Sequence, residues 1–292
     1  MEPIFSLIFN PVAGGGRTAK MMPEVQRCLA SLGASFDSTE SRDLQHARSL
    51  ARAGASAGEI VVAIGGDGLI GAVAGELETT GATLGIIPGG RGNDFARVLG
   101  IPTDVKGACS LLVGPERREI DIGSVDGHWF VGIASAGYDS DANAIANSTK
   151  LISGSAVYCY AALRALAGWK PARFDLEIDD RLKLSYTGYS IVCANSKAYG
   201  GGMFVAPDAE LDDGLLDIVM TGDTSKARFL MSLPKVFKGT HVDNPSVGIQ
   251  RGSKVRVSAD RPFVMYADGD PIAQLPATVE IHHRALRVIA PR

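Results

Sequence analysis

The sequence predicts an α/β domain over residues 1–123, built on a doubly wound parallel sheet, and an all-β domain over residues 124–284. In the first part, short apolar runs alternate with segments of helical spacing. In the second part, strand-like segments separated by turn residues dominate. The chain has 292 residues, 46 % of them hydrophobic, which is enough for two domains of ordinary size. Residues 285–292 can pack back onto the first domain.

The first domain is predicted to alternate strand and helix throughout. Helix 18–33 illustrates the evidence, because its apolar residues recur every three or four positions and Gly33 provides a stop. The predicted strands are 4–9, 34–38, 59–64 and 83–87, and the predicted helices are 18–33, 43–54, 69–79, 92–99 and 104–113. This alternation implies parallel pairing, so ligands are expected at the carboxyl ends of the strands.

The second domain is predicted to be an antiparallel sandwich or barrel with two helical insertions. Two strands flank a turn at Val125–His128. The further strand-like segments are 174–180, 181–195, 214–222, 254–259, 263–270 and 278–283, and the helices are 154–169 and 225–238.

Charge and composition exclude several classes of protein. The formal net charge is -3, which argues against a dedicated nucleic-acid binder. The four cysteines lie far apart in apolar runs, as expected for reduced core thiols. The N-terminus is too short and acidic for a signal peptide, and no apolar run approaches the ~20 residues that span a bilayer. We therefore expect a cytoplasmic protein that meets a membrane only from its surface.

Three glycine-rich segments each follow a predicted strand and precede a predicted helix: Asn10–Arg17, Gly65–Gly68 and Pro88–Arg97. Free backbone N–H groups and a helix N-terminus suit an anion, although the first segment alone could be a structural turn. The second lacks the spacing of a P-loop or a dinucleotide fingerprint. Its Asp67 would repel phosphate unless a cation lies between them, which suggests that this loop binds Mg²⁺. The alternative is that Asp67 only caps the following helix.

The motifs together resemble a known family. Gly65-Gly66-Asp67-Gly68 is followed about twenty residues later by Pro88-Gly-Gly-Arg-Gly-Asn-Asp-Phe-Ala-Arg97, and then by Tyr199–Met203, Leu211–Asp217 and Ala267–Pro271. These five segments, in this order, resemble the catalytic domain of the diacylglycerol kinase and sphingosine kinase superfamily. The soluble bacterial lipid kinases are the most similar branch.

The resemblance implies a Rossmann-like, NAD-kinase-like nucleotide domain and a β-sandwich domain, with ATP in the cleft between them. The γ-phosphoryl group would pass to a lipid hydroxyl, with Asp270 as the general base. Asp67 and Asp94 would organise Mg²⁺. The implied nucleotide contacts are Asn10, Ser41, Gly65, Gly66, Asp67, Gly68, Arg91 and Asn93. A second, structural Mg²⁺ is implied at Glu210, Asp213 and Leu215.

The sequence departs from the family at several expected polar positions. Leu69, Gly71 and Ala72 stand where the family usually has Thr, Asn and Glu, and Arg91 and Ser41 stand where it has Thr. Arg91 could bind phosphate oxygens bidentately, or it could fill the site and exclude ATP. These losses could weaken nucleotide binding by orders of magnitude.

Two segments are candidates for contact with a membrane. Residues 154–169 form a largely apolar helix, and residues 226–238 mix apolar with basic side chains, which suits an anionic interface. A helix packed on the sandwich with a solvated basic face is the alternative for each segment.

The leading hypothesis is an ATP- and Mg²⁺-dependent lipid kinase of the diacylglycerol kinase type, whose partner is a lipid at the inner face of the membrane. A catalytically impaired lipid- or nucleotide-binding relative is one alternative. A kinase for a soluble substrate such as a dinucleotide is another, because NAD kinases share the Gly-Gly-Asp-Gly core. A homodimer remains open.

Overall fold

The computed structural model describes residues 4–78, 80–149 and 156–291. The first part is a parallel sheet flanked by helices, as predicted. Its strands are β1 (Ile4–Phe9), β2 (Ser35–Glu40), β3 (Ile60–Gly65) and β4 (Thr83–Pro88), paired in the order β4-β3-β1-β2. Its helices are α1 (Ala13–Ser31), α2 (Leu44–Ser56), α3 (Asp67–Leu77), α4 (Asp94–Val98) and α5 (Val105–Val113).

Strands β1, β3 and β4 are buried on both faces of the sheet. Successive side chains on a strand point to opposite faces, so each strand contributes to two cores. On one face, Phe5 and Leu7 of β1 join a core with Val25 of α1 and Leu112 of α5. On the other face, Ile8 lies in a second core with residues of α2, α3 and α4. Helices on both faces make the sheet doubly wound, which confirms the predicted class.

The second part is mainly antiparallel. Its strands are β5 (Arg118–Val125), β6 (His128–Phe130), β7 (Ile133–Gly137), β8 (Ala172–Ile178), β9 (Leu182–Ala194), β10 (Leu216–Gly222), β11 (Val247–Gly252), β12 (Lys254–Ala259), β13 (Val264–Ala267), β14 (Asp270–Gln274) and β15 (Ala277–Val288). Its helices are α6 (Tyr138–Ser148), α7 (Ala156–Gly168), α8 (Lys226–Val236) and a 3₁₀ turn at Thr240–Asp243. The sequence did not predict α6, β11 or β14. The first two residues of predicted helix 154–169, and the last of predicted helix 69–79, lie outside the described residues.

An aromatic cluster forms the centre of the second core. The ring of Tyr189 stacks on Phe229 of α8 with centroids 4.1 Å apart, and Tyr138 meets Phe229 edge to face at 4.7 Å. The same core holds Trp169 and Phe174. These contacts fix α8 and the end of α7 against the β-strands.

One strand joins the two parts of the sheet. The first half of β15 pairs with β12 and β5, and its last residues run parallel to β4, with Val288 opposite Leu84. The backbone N–H of Ile289 then donates to the Leu84 carbonyl at 2.9 Å. Residues at the end of β15 and just after it thus contact strand β4 of the first domain.

Helix α3 lies at the boundary between the two halves. A Cβ atom added at Gly75 would lie 2.8 Å from Cβ of Trp129 on β6, and one added at Gly71 would lie 3.5 Å from Oδ2 of Asp268. Residues four apart share a helix face. The missing side chains at Gly71 and Gly75 therefore let the second half approach α3 closely. The region between α3 and the turn 267–271 is called the cleft below.

Candidate active site

The glycine loops after β3 and β4 pack directly against each other. The N–H groups of Gly89 and Gly90 donate to the carbonyl of Gly65 at 2.8 and 3.1 Å. A Cβ atom at Gly90 would lie only 2.4 Å from Cα of Gly66. Parallel strands end at the same edge of the sheet, so the predicted meeting of these loops follows from the topology.

The first glycine loop closes over the third. Gly14, Gly15 and Gly16 all have left-handed backbone conformations, with φ of 62°, 73° and 86°, which glycine adopts at little cost. The Asn10 side chain accepts a hydrogen bond from the Val12 N–H at 3.1 Å. A Cβ atom at Gly14 would lie 2.5 Å from the Gly89 carbonyl oxygen. A side chain at Gly14 would therefore collide with the third loop, and the backbone conformation of all three residues favours glycine.

Arg91 adds positive charge where these two loops meet. Its guanidinium Nη2 lies 3.7 Å from the position of a Cβ atom at Gly15, and the residue is exposed to solvent. A guanidinium in this position faces the surface on which an anion would contact the glycine backbone.

Ser41 and Asn93 each make hydrogen bonds to nearby backbone groups at this edge of the sheet. Ser41 is buried, and its hydroxyl donates to the Phe9 carbonyl at 3.1 Å, beside the end of β1. The Asn93 side chain accepts from the Gly90 N–H at 2.8 Å and donates to the Gly90 carbonyl at 3.1 Å. Both polar groups of Asn93 are therefore engaged inside the third loop.

Asp67 and Asp94 bring two carboxylates to one point. A Cβ atom at Gly92 would lie 3.2 Å from Oδ2 of Asp67 and 3.3 Å from Oδ2 of Asp94. Oδ1 of Asp67 accepts from the Phe95 N–H at 3.1 Å. Burial raises the pKa of Asp67. The hydrogen bond from the Phe95 N–H lowers this pKa, and the negative charge of Asp94 raises it further. A cation would stabilise both carboxylates in their charged form.

Asp94 also joins the two halves of the molecule. Its Oδ2 accepts from the backbone N–H of Gly201 at 2.6 Å, within the predicted Tyr199–Met203 motif. Its buried Oδ1 makes no hydrogen bond with the described residues, and the Arg97 guanidinium approaches it only to 3.9 Å. A buried carboxylate with one unpaired oxygen, on a residue next to Asp67, fits the donor set of a hard cation such as Mg²⁺.

The turn between β13 and β14 presents Asp268 to the cleft. Its carboxylate accepts from the N–H groups of Val131, Gly132 and Ile133 at 2.8, 3.0 and 3.1 Å. The side chain keeps a small exposed area, but protein surrounds it closely. This burial raises the pKa of Asp268 to about 6, although the three N–H groups act in the opposite direction.

Asp270, the base implied by the resemblance, lies exposed at the start of β14, two residues after Asp268. Asp268 has a left-handed backbone with φ of 48°, and Gly269 follows with φ of 95°. This tight turn directs Asp268 inward. The resemblance assigned the base to the third residue of the turn, Asp270, and gave Asp268 no role.

The departures from the family pattern fall in different surroundings. Leu69 is buried in the core, with its Cδ2 2.9 Å from a Cβ atom built at Gly65. Ala72 is buried as well. Gly71 instead faces Asp268, as described above. Of the three changed positions, this is the one where the missing family side chain, usually Asn, would have contacted Asp268.

An arginine from the neighbouring strand β11 contacts the loop that is predicted to hold a second metal. Asp213 and Asp217 both contact the Arg251 guanidinium: Oδ2 of Asp213 lies against Nη2, and Oδ2 of Asp217 lies 3.5 Å from Nε. Glu210 is exposed and Leu215 is partly buried. Asp213 is the one side chain that the resemblance implies for a structural Mg²⁺, and here it is engaged by Arg251. The other two implied ligands are the backbone carbonyls of Glu210 and Leu215.

Asp121 anchors this loop, and sequence reasoning missed it. The carboxylate is fully buried on β5 and accepts from the N–H groups of Gly214 and Arg284, both at 2.7 Å. Its carbonyl accepts from the Asn195 side chain at 3.1 Å. An aspartate between Ile120 and Ile122 of a buried strand is the signal that could have identified it.

Comparisons with known proteins identify the family of the chain. Residues 5–125 match the family model described as the diacylglycerol kinase catalytic domain, and residues 132–290 match that of the YegS C-terminal NAD kinase beta sandwich-like domain. The chain is 34 % identical over 290 residues to a diacylglycerol kinase of Mycobacterium tuberculosis, covering 97 % of this chain and 94 % of the relative. A diacylglycerol kinase of Bacillus subtilis is 27 % identical, with coverages of 98 % and 96 %.

Solved structures show the same fold. A diacylglycerol kinase from Bacillus anthracis str. Sterne superposes with a TM-score of 0.76 at 19 % identity, over 99 % of this chain and 97 % of that one. A second structure from this organism gives 0.84 at 21 %, with coverages of 99 % and 95 %. In the described ranges, no helix is long and apolar enough to cross a bilayer. By its two domain matches and its full-length relatives, the chain belongs to the diacylglycerol kinase family.

Proposed function

We propose that this protein is an ATP- and Mg²⁺-dependent lipid kinase that transfers the γ-phosphoryl group of ATP to the hydroxyl of a glycerolipid or a related long-chain alcohol. One observation carries the proposal: Asp67 lies beside Asp94 and close enough to Asp268 for their charges to interact, next to glycine loops that pack directly on one another. Phosphoryl transfer depends mainly on positioning and on neutralising charge, which these parts supply.

The glycine loops would bind the ATP phosphates through backbone N–H groups, and Arg91 would add a guanidinium. Asp67 and Asp94 would hold Mg²⁺, which neutralises charge on the phosphate oxygens. The hydroxyl oxygen of the lipid forms a bond to the γ-phosphorus, the bond to the β,γ-bridging oxygen breaks, and ADP leaves. Asp268 accepts the hydroxyl proton, since its Oδ2 faces the space beside Gly71.

The acceptor is proposed to reach the cleft from a membrane surface. Helix α8 buries Phe229 against the second core but exposes Leu230 and Met231, and Phe237 follows it at the surface. The basic residues of this segment are Lys226, Arg228, Lys235 and Lys238. Exposed apolar side chains beside basic ones suit the anionic inner face of a membrane.

The test is transfer of label from γ-labelled ATP to a panel of acceptors in mixed micelles, containing diacylglycerol, a long-chain alcohol and soluble NAD. Labelled lipid that depends on Mg²⁺ and disappears in Asp67→Ala supports the proposal. Label in NAD would support a kinase for a soluble substrate. No label in any acceptor, together with no heat of Mg–ATP binding at millimolar ligand, would support a catalytically impaired relative.

A further inference from the structure

We propose that Arg251 is a built-in cation of the second domain, which takes the place of a structural divalent ion and holds the loop 208–217 in shape. The chain would then need Mg²⁺ only where it binds nucleotide. The inference concerns the folded state of this loop and does not rest on the proposed kinase activity.

The pairing of two strands places Arg251 at this loop. Asp217 of β10 lies directly opposite Arg251 of β11 in the antiparallel register, and directly opposed side chains on one face are close neighbours. Asp213 lies in the turn that leads into β10, four residues earlier. One guanidinium therefore reaches both carboxylates, one through Nη2 and the other through Nε.

Asp217 shows why a cation is required here. It is 4 % exposed, and its buried Oδ2 makes no hydrogen bond with the described residues. Burial raises the pKa of Asp217, and Arg251 opposes the shift. Without a nearby positive charge, this carboxylate would be buried and uncompensated, which is strongly destabilising.

The contacts of Asp213 favour an arginine at this position over a metal ion. The Arg251 guanidinium lies against both Asp213 and Asp217. An Mg²⁺ ion would need Asp213 oxygen at about 2.0–2.1 Å. Oδ2 of Asp213 is already in contact with the guanidinium and Oδ1 accepts from the Leu215 N–H at 3.0 Å.

The loop is also connected to the cleft. Gly214 donates to Asp121, whose carbonyl accepts from the side chain of Asn195, and that side chain also donates to the Val131 carbonyl at 2.9 Å. The Val131 N–H in turn donates to Asp268. Arg251 is thus a positioning residue, because it acts on the cleft only through the loop that it neutralises.

The experiment compares the full-length protein with Arg251→Met, which keeps an apolar stem but removes the charge. Arg256→Met is the matched control, since Arg256 is an exposed arginine on the neighbouring strand β12. Thermal unfolding is recorded without nucleotide, in EDTA and in millimolar Mg²⁺ or Ca²⁺, and ion binding is measured by calorimetry.

We expect wild type and Arg256→Met to unfold at the same temperature with or without divalent ion. Arg251→Met should unfold several degrees lower in EDTA and recover when Mg²⁺ or Ca²⁺ is added. It should also gain an ion site that Arg251→Met/Asp213→Asn lacks.

Three outcomes would overturn the inference. Wild type could gain stability from divalent ions in a manner abolished by Asp213→Asn, which would show that the loop binds a metal despite Arg251. Arg251→Met could unfold at the wild-type temperature, or it could lose stability that no divalent ion restores, as expected for an ordinary ion pair.

Discussion

Asp268 and Asp270 occupy one turn, but only Asp268 faces α3, with three backbone N–H groups holding its carboxylate. We predict that Asp268→Asn lowers kcat by about 10²–10⁴-fold, because general-base catalysis contributes on this order. Asp270→Asn is the matched control and should change kcat less than threefold, on the order of the effect of an exposed residue. The reverse pattern would assign the base to Asp270.

The same residue predicts a dependence on pH. A carboxylate with a pKa of about 6 can accept a proton only when it is ionised, so kcat/KM should rise with pH and level off above about 7. The profile of the wild-type enzyme checks this prediction. A flat profile between pH 5 and 8 would contradict it.

Arg91 is the departure from the family with the clearest geometry. We predict that Arg91→Ala raises KM for ATP by about 10–100-fold, since a charged hydrogen bond contributes roughly 1.5–3 kcal/mol. Arg48→Ala, which removes an exposed arginine from α2, is the control. If ATP bound more tightly after Arg91 was removed, the guanidinium would be an obstruction instead of a ligand.

At the scale of an element, the packed glycine loops allow a sharp comparison. A Cβ atom at Gly90 would meet the backbone of Gly66, whereas one at Gly68 would meet no atom within 4 Å. Gly90→Ala should therefore abolish ATP binding or lower Tm by several degrees. Gly68→Ala should leave Tm within experimental error, as measured by thermal unfolding. Equal effects of the two changes would show that the loops are not limited by this contact.

Helix α8 gives a prediction for membrane binding. Met231 is 66 % exposed, so Met231→Glu should leave the fold intact while removing an apolar group from the interface and adding a negative charge. Sedimentation with vesicles rich in phosphatidylglycerol should show about tenfold weaker binding, since a buried apolar side chain is worth roughly 1.5–3 kcal/mol. Val113→Glu, exposed on α5, is the control. Unchanged binding of Met231→Glu would place the membrane contact elsewhere.

At the scale of the whole molecule, β5 and β15 pair along a line that runs through both halves of the sheet. We predict one cooperative unfolding transition, because neither half can lose these strands alone. Tryptophan fluorescence reports on Trp129 and Trp169 in the second half, and far-ultraviolet circular dichroism reports on all helices. The two curves should coincide, and two separate transitions would refute the prediction.

Much of this architecture could be predicted from the sequence, because parallel strands and their loops have strong local signals. The strand 4–9, for example, ends at Asn10-Pro11, and glycine follows β3 at once. The missed strands have weak signals: β11 contains Gly248 and Gly252, and β14 contains Pro271, residues that are depleted in strands. Helix α6 begins directly after a glycine with φ of 111°, where no cap residue marked it.

The site was harder to predict than the fold because its decisive contacts are distant in sequence. Asp213 and Arg251 are joined by the register of β10 and β11, which no local pattern specifies. Likewise, the backbone of a single turn decides whether Asp268 or Asp270 faces the cleft. Residue types indicated the chemistry, whereas long-range pairing decided which atoms meet.

The position of β15 also has a consequence for how the protein is made. Val288, Ile289 and Ala290 belong to the cores that cover the first domain, yet they are translated only after the strands of the second half, from β5 to β14. A nascent chain that ends after residue 125 still exposes the edge of β4. The nucleotide domain therefore cannot mature while its own segment is being translated, because it depends on the end of β15, which is made after the rest of the second half.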